Sequence, residues 1–190
     1  MTTRVRMGIS GLALVAIAGL IYVAGPSYAG DSDTALKIAA ALKKGDKDGA
    51  SKIATTAAKK IEDVADFMHL FRPRNKGGLG WGSKPLNNPA HDGLEVMLRA
   101  LVKPAPPTVT KESTEEAGYW IASLAELAIA KAPTKDMSKK TKKAWMEYSK
   151  EMREAGIALA KDAAAGGAQT TKIAAKLNTT CSNCHAIFKD

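Results

Sequence analysis

The sequence predicts an all-α fold, namely an antiparallel four-helix bundle with short extra helices and a glycine-rich loop. Hydrophobic residues, many of them alanine, make up 45% of the 190 residues, whereas aromatic residues make up only 5%. Alanine-rich, aromatic-poor chains favour closely packed helices over sheets. Apolar residues also recur at steps of three and four, and no segment shows the alternation typical of a strand. Amphipathic helices with mostly short connections indicate a bundle, and this length indicates one domain.

The N-terminal residues are typical of an export signal. Two arginines precede an uncharged, mostly apolar run at 8–23, and Ser27 and Ala29 are small residues of the kind that a signal peptidase recognises. We therefore predict a signal peptide over 1–29, one mature domain over 30–190, a location in the bacterial periplasm, and no stable membrane insertion after cleavage. The alternative is a retained anchor, because the apolar run approaches the length that spans a bilayer.

The mature domain is basic. The signal segment contains two arginines and no acidic residue, so its removal leaves 26 basic and 19 acidic residues and lowers the net charge from +9 to +7. A basic surface attracts acidic proteins, anionic lipid or nucleic acid. We expect no nucleic-acid binding, because the protein is exported and has no basic stripe interleaved with aromatic residues. A solvated, lysine-rich surface accounts for most of the charge.

The first half of the mature domain is predicted to contain two helices and a loop. A short helix begins at Ser32 or Asp33, either of which can cap it, and Gly45 ends it. A longer helix runs from about Asp48 to the segment 73–93, whose proline cannot continue it. Its predicted apolar face comprises Ile53, Ala57, Ile61, Val64, Met68 and Phe71. The segment that follows is rich in glycine, proline and asparagine and is therefore predicted to be a loop.

The second half is predicted to contain four helices. A short helix over 94–103 is closed by stiff prolines, and longer helices span about 111–131 and 138–164. A turn of alanine and glycine leads to the last helix, which begins near Gln169. Its apolar stripe comprises Ile173, Leu177, Cys181, Cys184 and Phe188. Both cysteines are therefore predicted to lie on the core-facing stripe of the final helix.

The two cysteines of the chain, Cys181 and Cys184, are three residues apart, and His185 follows directly. Zinc binding, dithiol exchange and haem attachment all use such a pair. A zinc site requires four ligands, and a histidine adjacent to Cys184 suits a tetrahedral site poorly. A redox dithiol lies at the start of a helix, where the helix dipole lowers the thiol pKa, whereas this pair lies near a helix end. A structural disulfide is a further alternative.

Covalent haem attachment needs the arrangement that is present. A spacing of three places two sulfurs about one helical turn apart, so that they can form thioethers with the two vinyl groups of one porphyrin. The next residue can then ligate the iron. Attachment takes place outside the cytoplasm, in agreement with the predicted export. We therefore predict one covalently bound haem c, with Cys181 and Cys184 as the thioether anchors and His185 as the proximal iron ligand.

The end of the chain resembles the cytochrome c′ family, the class II c-type cytochromes, which are four-helix bundles with the haem motif near the C-terminus. The family pattern Cys-x-x-Cys-His-x-x-Phe-Arg/Lys is matched by Cys181, Cys184, His185, Phe188 and Lys189. The segment "AWMEYSKEMREAGIALAKDAA" is similar to the preceding helix of that family. The resemblance covers about 144–190. Upstream the chain departs from the family, because a short helix precedes the first bundle helix and the 73–93 loop and the helix after it look inserted.

The resemblance implies two functions that differ in the sixth ligand of the iron. Low-spin relatives use a methionine from the first bundle helix and carry electrons, whereas cytochrome c′ itself leaves the position open and binds NO and CO. A methionine ligand raises the reduction potential. We predict periplasmic electron transfer with Met68 as the sixth ligand, although Met68 can equally fill the core and Met97 is another candidate. Gas binding is the alternative function.

We predict no enzymatic activity. A peroxidase would need an acid–base group over an open iron site, which His69 or His91 would have to supply, and we expect the first to face solvent and the second to lie in a loop. The expected partners are redox proteins with an acidic docking surface, and the chain can also form a homodimer. The glycine-rich loop is either mobile or covers the haem edge, with Arg72, Arg74 or Lys76 near the propionates.

Overall fold

The structure, a computed structural model, describes residues 29–106 and 108–189. In these ranges every regular element is a helix, so the predicted all-α fold is confirmed there, and no helix has the length and apolar character needed to cross a membrane. The predicted signal peptide lies outside the described residues, apart from Ala29. The α-helices are α1 (Ala29–Lys43), α2 (Lys47–Ala58), α3 (Ala65–Met68), α4 (Leu94–Ala100), α5 (Lys111–Ala130), α6 (Lys142–Ala164) and α7 (Thr170–Phe188), with 3₁₀ turns at His69–Phe71 and Arg74–Lys76.

Helix α5 is the centre of the fold, since every residue from Ile121 to Ala128 on it is buried. A capping box at Thr110 fixes its start. Helix α6 packs antiparallel to α5 at close range, because glycines face the backbone of the neighbouring helix. A Cβ placed on Gly118 would lie 2.6 Å from Ala160 N, and one placed on Gly156 would lie 2.8 Å from Gly118 O. The two helices can therefore approach only because these side chains are absent.

Helix α7 packs antiparallel against α6. Near its start Thr170 Oγ1 donates to Asp162 Oδ2 at 2.7 Å, and near its end the rings of Phe188 and Trp145 meet edge to face with centroids 5.0 Å apart. The indole N–H of Trp145 also donates to Ala128 O on α5 at 2.7 Å. The start of α6 and the ends of α5 and α7 thus meet at one end of the molecule. We call it the motif end, because the Cys-x-x-Cys-His motif lies in the last turns of α7.

Helices α1 and α2 form a hairpin that packs on α5. Gly45 has a φ of +79° where α1 ends, and Asp46 caps α2 by accepting a hydrogen bond from Gly49 N at 2.8 Å. The buried side chains of α1 are Ala35, Ile38, Ala39 and Leu42. The helix begins at Ala29, earlier than the predicted start at residue 32 or 33.

The single long helix predicted from Asp48 to Phe71 is wrong. Helix α2 ends at Ala58, and only the short α3 and a 3₁₀ turn follow. Aspartate side chains interrupt the helix, because Asp63 Oδ1 accepts a hydrogen bond from Ala65 N and Asp66 Oδ2 accepts one from Asp63 N. The buried residues of α2 are Ala50, Ala54 and Ala58. The residues of the predicted face that lie in α2, Ile53 and Ala57, are only half-buried, whereas Ile61, in the connection after the helix, is buried.

Helix α6 begins at Lys142, four residues after the predicted start. The cause is a tight turn in which Met137 N donates to Lys140 O at 3.1 Å and Lys140 N donates to Met137 O at 2.8 Å. Ser138 has a φ of +52° within this turn. Thr141 then caps α6 by accepting a backbone hydrogen bond at 3.1 Å. The turn therefore delays the helix and holds Met137 and Lys140 together.

Hydrogen bonds join distant parts of the 73–93 loop. Asp92 is only 2% exposed, and its carboxylate accepts hydrogen bonds from Trp81 N at 2.8 Å and Arg74 Nε at 3.1 Å. Arg74 Nη2 also donates to Gly82 O at 2.6 Å. Arg74 is therefore engaged within the loop rather than placed to meet a haem propionate.

The loop places α4 against α7. Its last residues pair with its first, since Arg74 N donates to Asp92 O at 2.9 Å, and α4 begins two residues later. The buried residues of α4 are Leu94, Met97 and Leu98. Asn178 Nδ2 on α7 donates to Leu98 O at 2.8 Å. Helix α4 thus contacts α7 one turn before the cysteines.

Candidate functional site

Helix α7 presents the motif near its C-terminal end. Gly166 and Gly167, with φ of +110° and +79°, turn the chain after α6. Asp162 then accepts hydrogen bonds from Gln169 N at 2.9 Å and from the Thr170 hydroxyl, which fixes the start of the helix. The buried residues of α7 are Ala174, Leu177 and Thr180. This face sets the direction in which the motif side chains point.

The three motif side chains lie at different depths. Cys181 and Cys184 are half-buried free thiols, and Cys181 packs against the core, whereas His185 is exposed. The cysteines therefore flank the buried face of α7 rather than lying at its centre, as the predicted stripe would have them. Thr180 occupies that centre and donates a hydrogen bond to Glu151 on α6 at 3.3 Å. The flanking position keeps both sulfurs beside the core and at the edge of the solvent-exposed surface.

The environment of the thiols disfavours dithiol exchange. Burial raises the pKa of the Cys181 thiol to about 11, and the nearby Cys184 thiol and Glu95 carboxylate add to the rise. Burial also raises the pKa of the Cys184 thiol to about 11. Both thiols are protonated at neutral pH, whereas a reactive dithiol needs a lowered pKa. The negative pole of the helix dipole lies at this end of α7 and opposes a thiolate further.

The donor set also disfavours a zinc site. Among the residues that the structure describes, no group of three or more histidine, cysteine, aspartate or glutamate side chains converges to hold a metal ion. Cys181 and Cys184 thus lack the two further ligands that a tetrahedral site requires. Two thiols one turn apart and an adjacent, exposed imidazole fit a c-type haem, because this group takes two thioethers and one imidazole from such a motif.

An apolar groove of about 250 Å³ opens at the motif end. Phe188 and Trp145 line it, and Phe188 lies one helical turn after Cys184. Val64 and Met137 add apolar surface. Cofactor sites are commonly concave and largely apolar. The groove is concave, but charged side chains form half of its lining and no motif residue is part of it, so it belongs to the surface beside the motif rather than to the cofactor site.

Three methionines bear on the sixth-ligand prediction. Met68 is half-buried at the end of α3, one turn after the groove residue Val64, to whose carbonyl its N–H donates at 3.1 Å. Met97 is 2% exposed in α4, and Met137 is 66% exposed beside the groove. From the sequence, Met137 is a weaker candidate than Met68, because it precedes its helix. Its place beside the groove requires the turn at 137–140 to lie near the end of α7. These two segments are far apart in the sequence, so no local pattern predicts that they meet.

The two histidines outside the motif differ from each other. The expectation that His69 faces solvent is wrong, since the residue is 8% exposed. The cause is the break after α2, which replaces the predicted helix with a 3₁₀ turn and redirects the ring inward. His91 lies exposed in the loop, as predicted, with its Nδ1 3.5 Å from Asn88 Nδ2.

The chain was compared with protein-family models, with characterised proteins and with solved structures, and none of them matches it. The resemblance to the cytochrome c′ family therefore rests on the residues of the 144–190 segment.

Proposed function

We propose that this chain is an exported mono-haem c-type cytochrome that transfers electrons in the periplasm. The observation that carries the proposal is the placement of Cys181, Cys184 and His185 at the edge of the last helix, with free thiols one turn apart and an exposed imidazole. A haem bound there supplies an iron that exchanges one electron between its ferrous and ferric states.

Each motif side chain has its own role in holding the cofactor. Cys181 and Cys184 would anchor it by thioethers, and His185 would supply an imidazole ligand to the iron. Helices α4 and α6 flank this part of α7, as the contacts of Leu98 with Asn178 and of Glu151 with Thr180 indicate. The thiols are half-buried beside these helices, while the imidazole of His185 is exposed and would be available to ligate iron.

We also propose that α2 with α3, α5, α6 and α7 correspond to the four helices of the cytochrome c′ bundle. The antiparallel order of the last three helices supports this assignment, and α1 and α4 are then additions. Met68 would belong to the first bundle helix, which supplies the sixth ligand in the low-spin relatives. The resemblance alone supports this role, because Met68 packs against the core and is not among the residues that line the groove.

Covalent attachment is the first test of the proposal. Haem should remain with the holoprotein in acid–acetone and on a denaturing gel stained for haem, because thioethers survive denaturation. Replacing Cys181 and Cys184 with alanine should remove the stain. Replacing the exposed Ser182 between them with alanine is the matched control and should leave it unchanged. Haem that is extracted from the wild-type protein would contradict the assignment.

Absorption spectroscopy then separates electron transfer from the alternative, gas binding. A six-coordinate, low-spin iron in both redox states is expected for an electron carrier, because an unchanged ligand set limits reorganisation during transfer. A five-coordinate, high-spin spectrum together with rapid CO binding would instead support a gas-binding protein.

A further inference from the structure

Positive charge is concentrated at the motif end. Residues 131–143, here called the lysine segment, contain six of the 28 basic residues of the chain and one acidic residue, Asp136. The segment joins the end of α5 to the start of α6, where Trp145 contacts Phe188 of α7. Phe188 lies three residues after His185, a rise of about 4.5 Å along the helix. The charges therefore lie close to the haem motif.

The lysine segment has a fixed shape. Met137 and Lys140 exchange two backbone hydrogen bonds, and Asp136 Oδ1 accepts a third from Lys142 N at 2.6 Å. This turn exposes 66% of Met137, more than any other large hydrophobic side chain in the described ranges. An apolar side chain is therefore held outward among lysines by backbone bonds.

This combination is typical of a protein-binding surface. Interfaces have an apolar centre enriched in methionine and a polar rim. Lys135 and Lys140 line the groove beside Met137, and Lys139 and Lys143 are exposed around it. The segment thus offers one apolar contact and a ring of cations.

The groove also has an acidic side. Glu62 and Asp63, from the connection between α2 and α3, line it as well. Asp63 already accepts a hydrogen bond from Ala65 N at 3.0 Å. The lysines that line the groove all belong to the lysine segment, so a partner that recognises them would approach from that side.

We propose that the lysine segment, with Met137 at its centre, is the surface on which an acidic redox protein docks. This inference rests on the proposed function, because it takes electron transfer as given. Opposite charges steer the encounter and raise the association rate. Docking at the motif end also keeps the electron path short. An acidic protein fits better than an anionic membrane, since the segment is a tight turn with one exposed apolar side chain rather than an amphipathic helix.

The test uses ferrous holoprotein and two small oxidants of opposite charge, ferricyanide and tris(phenanthroline)cobalt(III), in stopped-flow measurements. The variant Lys139→Glu/Lys143→Glu reverses two exposed charges, and glutamate in the first turn of α6 is compatible with the helix dipole. The control variant Lys47→Glu/Lys52→Glu lowers the net charge by the same amount, at two exposed positions near the start of α2. That helix runs toward Ile61, whose carbonyl accepts from Lys131, so its start is remote from the motif end.

At an ionic strength of about 10 mM, the ratio of the ferricyanide rate constant to the cobalt rate constant should fall roughly tenfold in the lysine-segment variant. The control should change it less than about twofold, and high salt should abolish the difference. Equal ratios in the two variants would overturn the docking proposal. A failure of the proposed function is distinguishable, because a chain without haem shows no visible absorption to follow.

The class of partner is tested with two probes. Poly-L-glutamate should slow ferricyanide oxidation of the wild-type protein and have little effect on the lysine-segment variant. Sedimentation with phosphatidylglycerol vesicles should not distinguish the two proteins. If the vesicles bind the wild type but not the variant, and poly-L-glutamate has no effect, the surface recognises a membrane and the proposal is wrong.

Discussion

Trp145 joins three helices at the motif end through two kinds of contact. Its Nε1 donates to Ala128 O on α5 at 2.7 Å, and its ring meets Phe188 on α7 at an interplanar angle of 88°. The residue is 7% exposed, so its hydrogen bond is shielded from water. The last turn of α7, which follows directly on His185, is thereby held to the α5–α6 pair.

Replacing Trp145 with phenylalanine should destabilise the protein by about 1–2 kcal/mol, because the indole donor is lost and the Ala128 carbonyl is left unpaired. The edge-to-face contact with Phe188 can persist, so a larger loss is not expected. Denaturant unfolding measures the change. The half-buried neighbour Tyr148, changed to phenylalanine, is the control and should cost less. Equal losses in the two variants would show that the indole hydrogen bond contributes nothing.

Replacing Met68 with leucine tests the sixth ligand, because the change removes the sulfur and nearly preserves volume and apolarity. If Met68 ligates the iron, the absorption near the red end of the visible spectrum should vanish, the potential should fall and CO should bind readily. Met97→Leu and Met137→Leu are matched controls and should leave the spectrum unchanged. A change in either control, with none in Met68→Leu, would transfer the role to that methionine.

The glycine-rich loop acts as a brace for α4. Asp92 is buried, and it neutralises Arg74 while also accepting the backbone N–H of Trp81. Because α4 begins two residues later, this network sets where the helix lies against α7. The hydrogen bond from Asn178 Nδ2 to Leu98 O then joins α4 to α7, the helix that contains the motif.

Replacing Asp92 with alanine should destabilise the protein by about 2–4 kcal/mol, because a partly buried arginine and a buried N–H lose their partner. Urea unfolding monitored by circular dichroism measures the loss. Replacing Glu95 with alanine also removes one partner of an ion pair, but its partner Arg99 lies on the surface, so less than about 1 kcal/mol is expected. A loss below that of the control would contradict the bracing role.

How far the elements can be predicted depends on where their determinants lie. Helix α5 follows from local periodicity and caps, and its predicted end differs from the observed one by a single residue. The interruption after α2 escapes prediction, because the aspartate bonds at Asp63 and Asp66 compete with an apolar pattern that looks continuous. The motif is visible in the sequence because its residues are neighbours. The groove is not, because it joins Val64, Met137 and Phe188 from distant segments.

At the scale of the whole molecule, the charged and chemical features coincide. Without the predicted signal segment, the chain has a net charge of +7, from 26 basic and 19 acidic residues. Six of its lysines lie in the segment 131–143 at the end where α7 carries the motif. A uniform basic surface would favour solubility alone, whereas a concentration of lysines at one end is the asymmetry expected if an acidic protein docks there. The location of the lysines therefore says more about a docking partner than the net charge does.

The intact mass tests the whole assignment, from export to cofactor. If the cofactor is haem c, each thiol S–H would add across one vinyl double bond with no leaving group, so the mature protein should have the mass of residues 30–190 plus one haem. The periplasmic fraction should contain this species, and the Cys181→Ala/Cys184→Ala protein should lack the haem mass. A membrane fraction that holds the 1–190 chain plus haem would support the retained anchor while leaving the cytochrome assignment intact. A processed chain without haem would contradict that assignment but not export, so one measurement separates the two parts of the proposal.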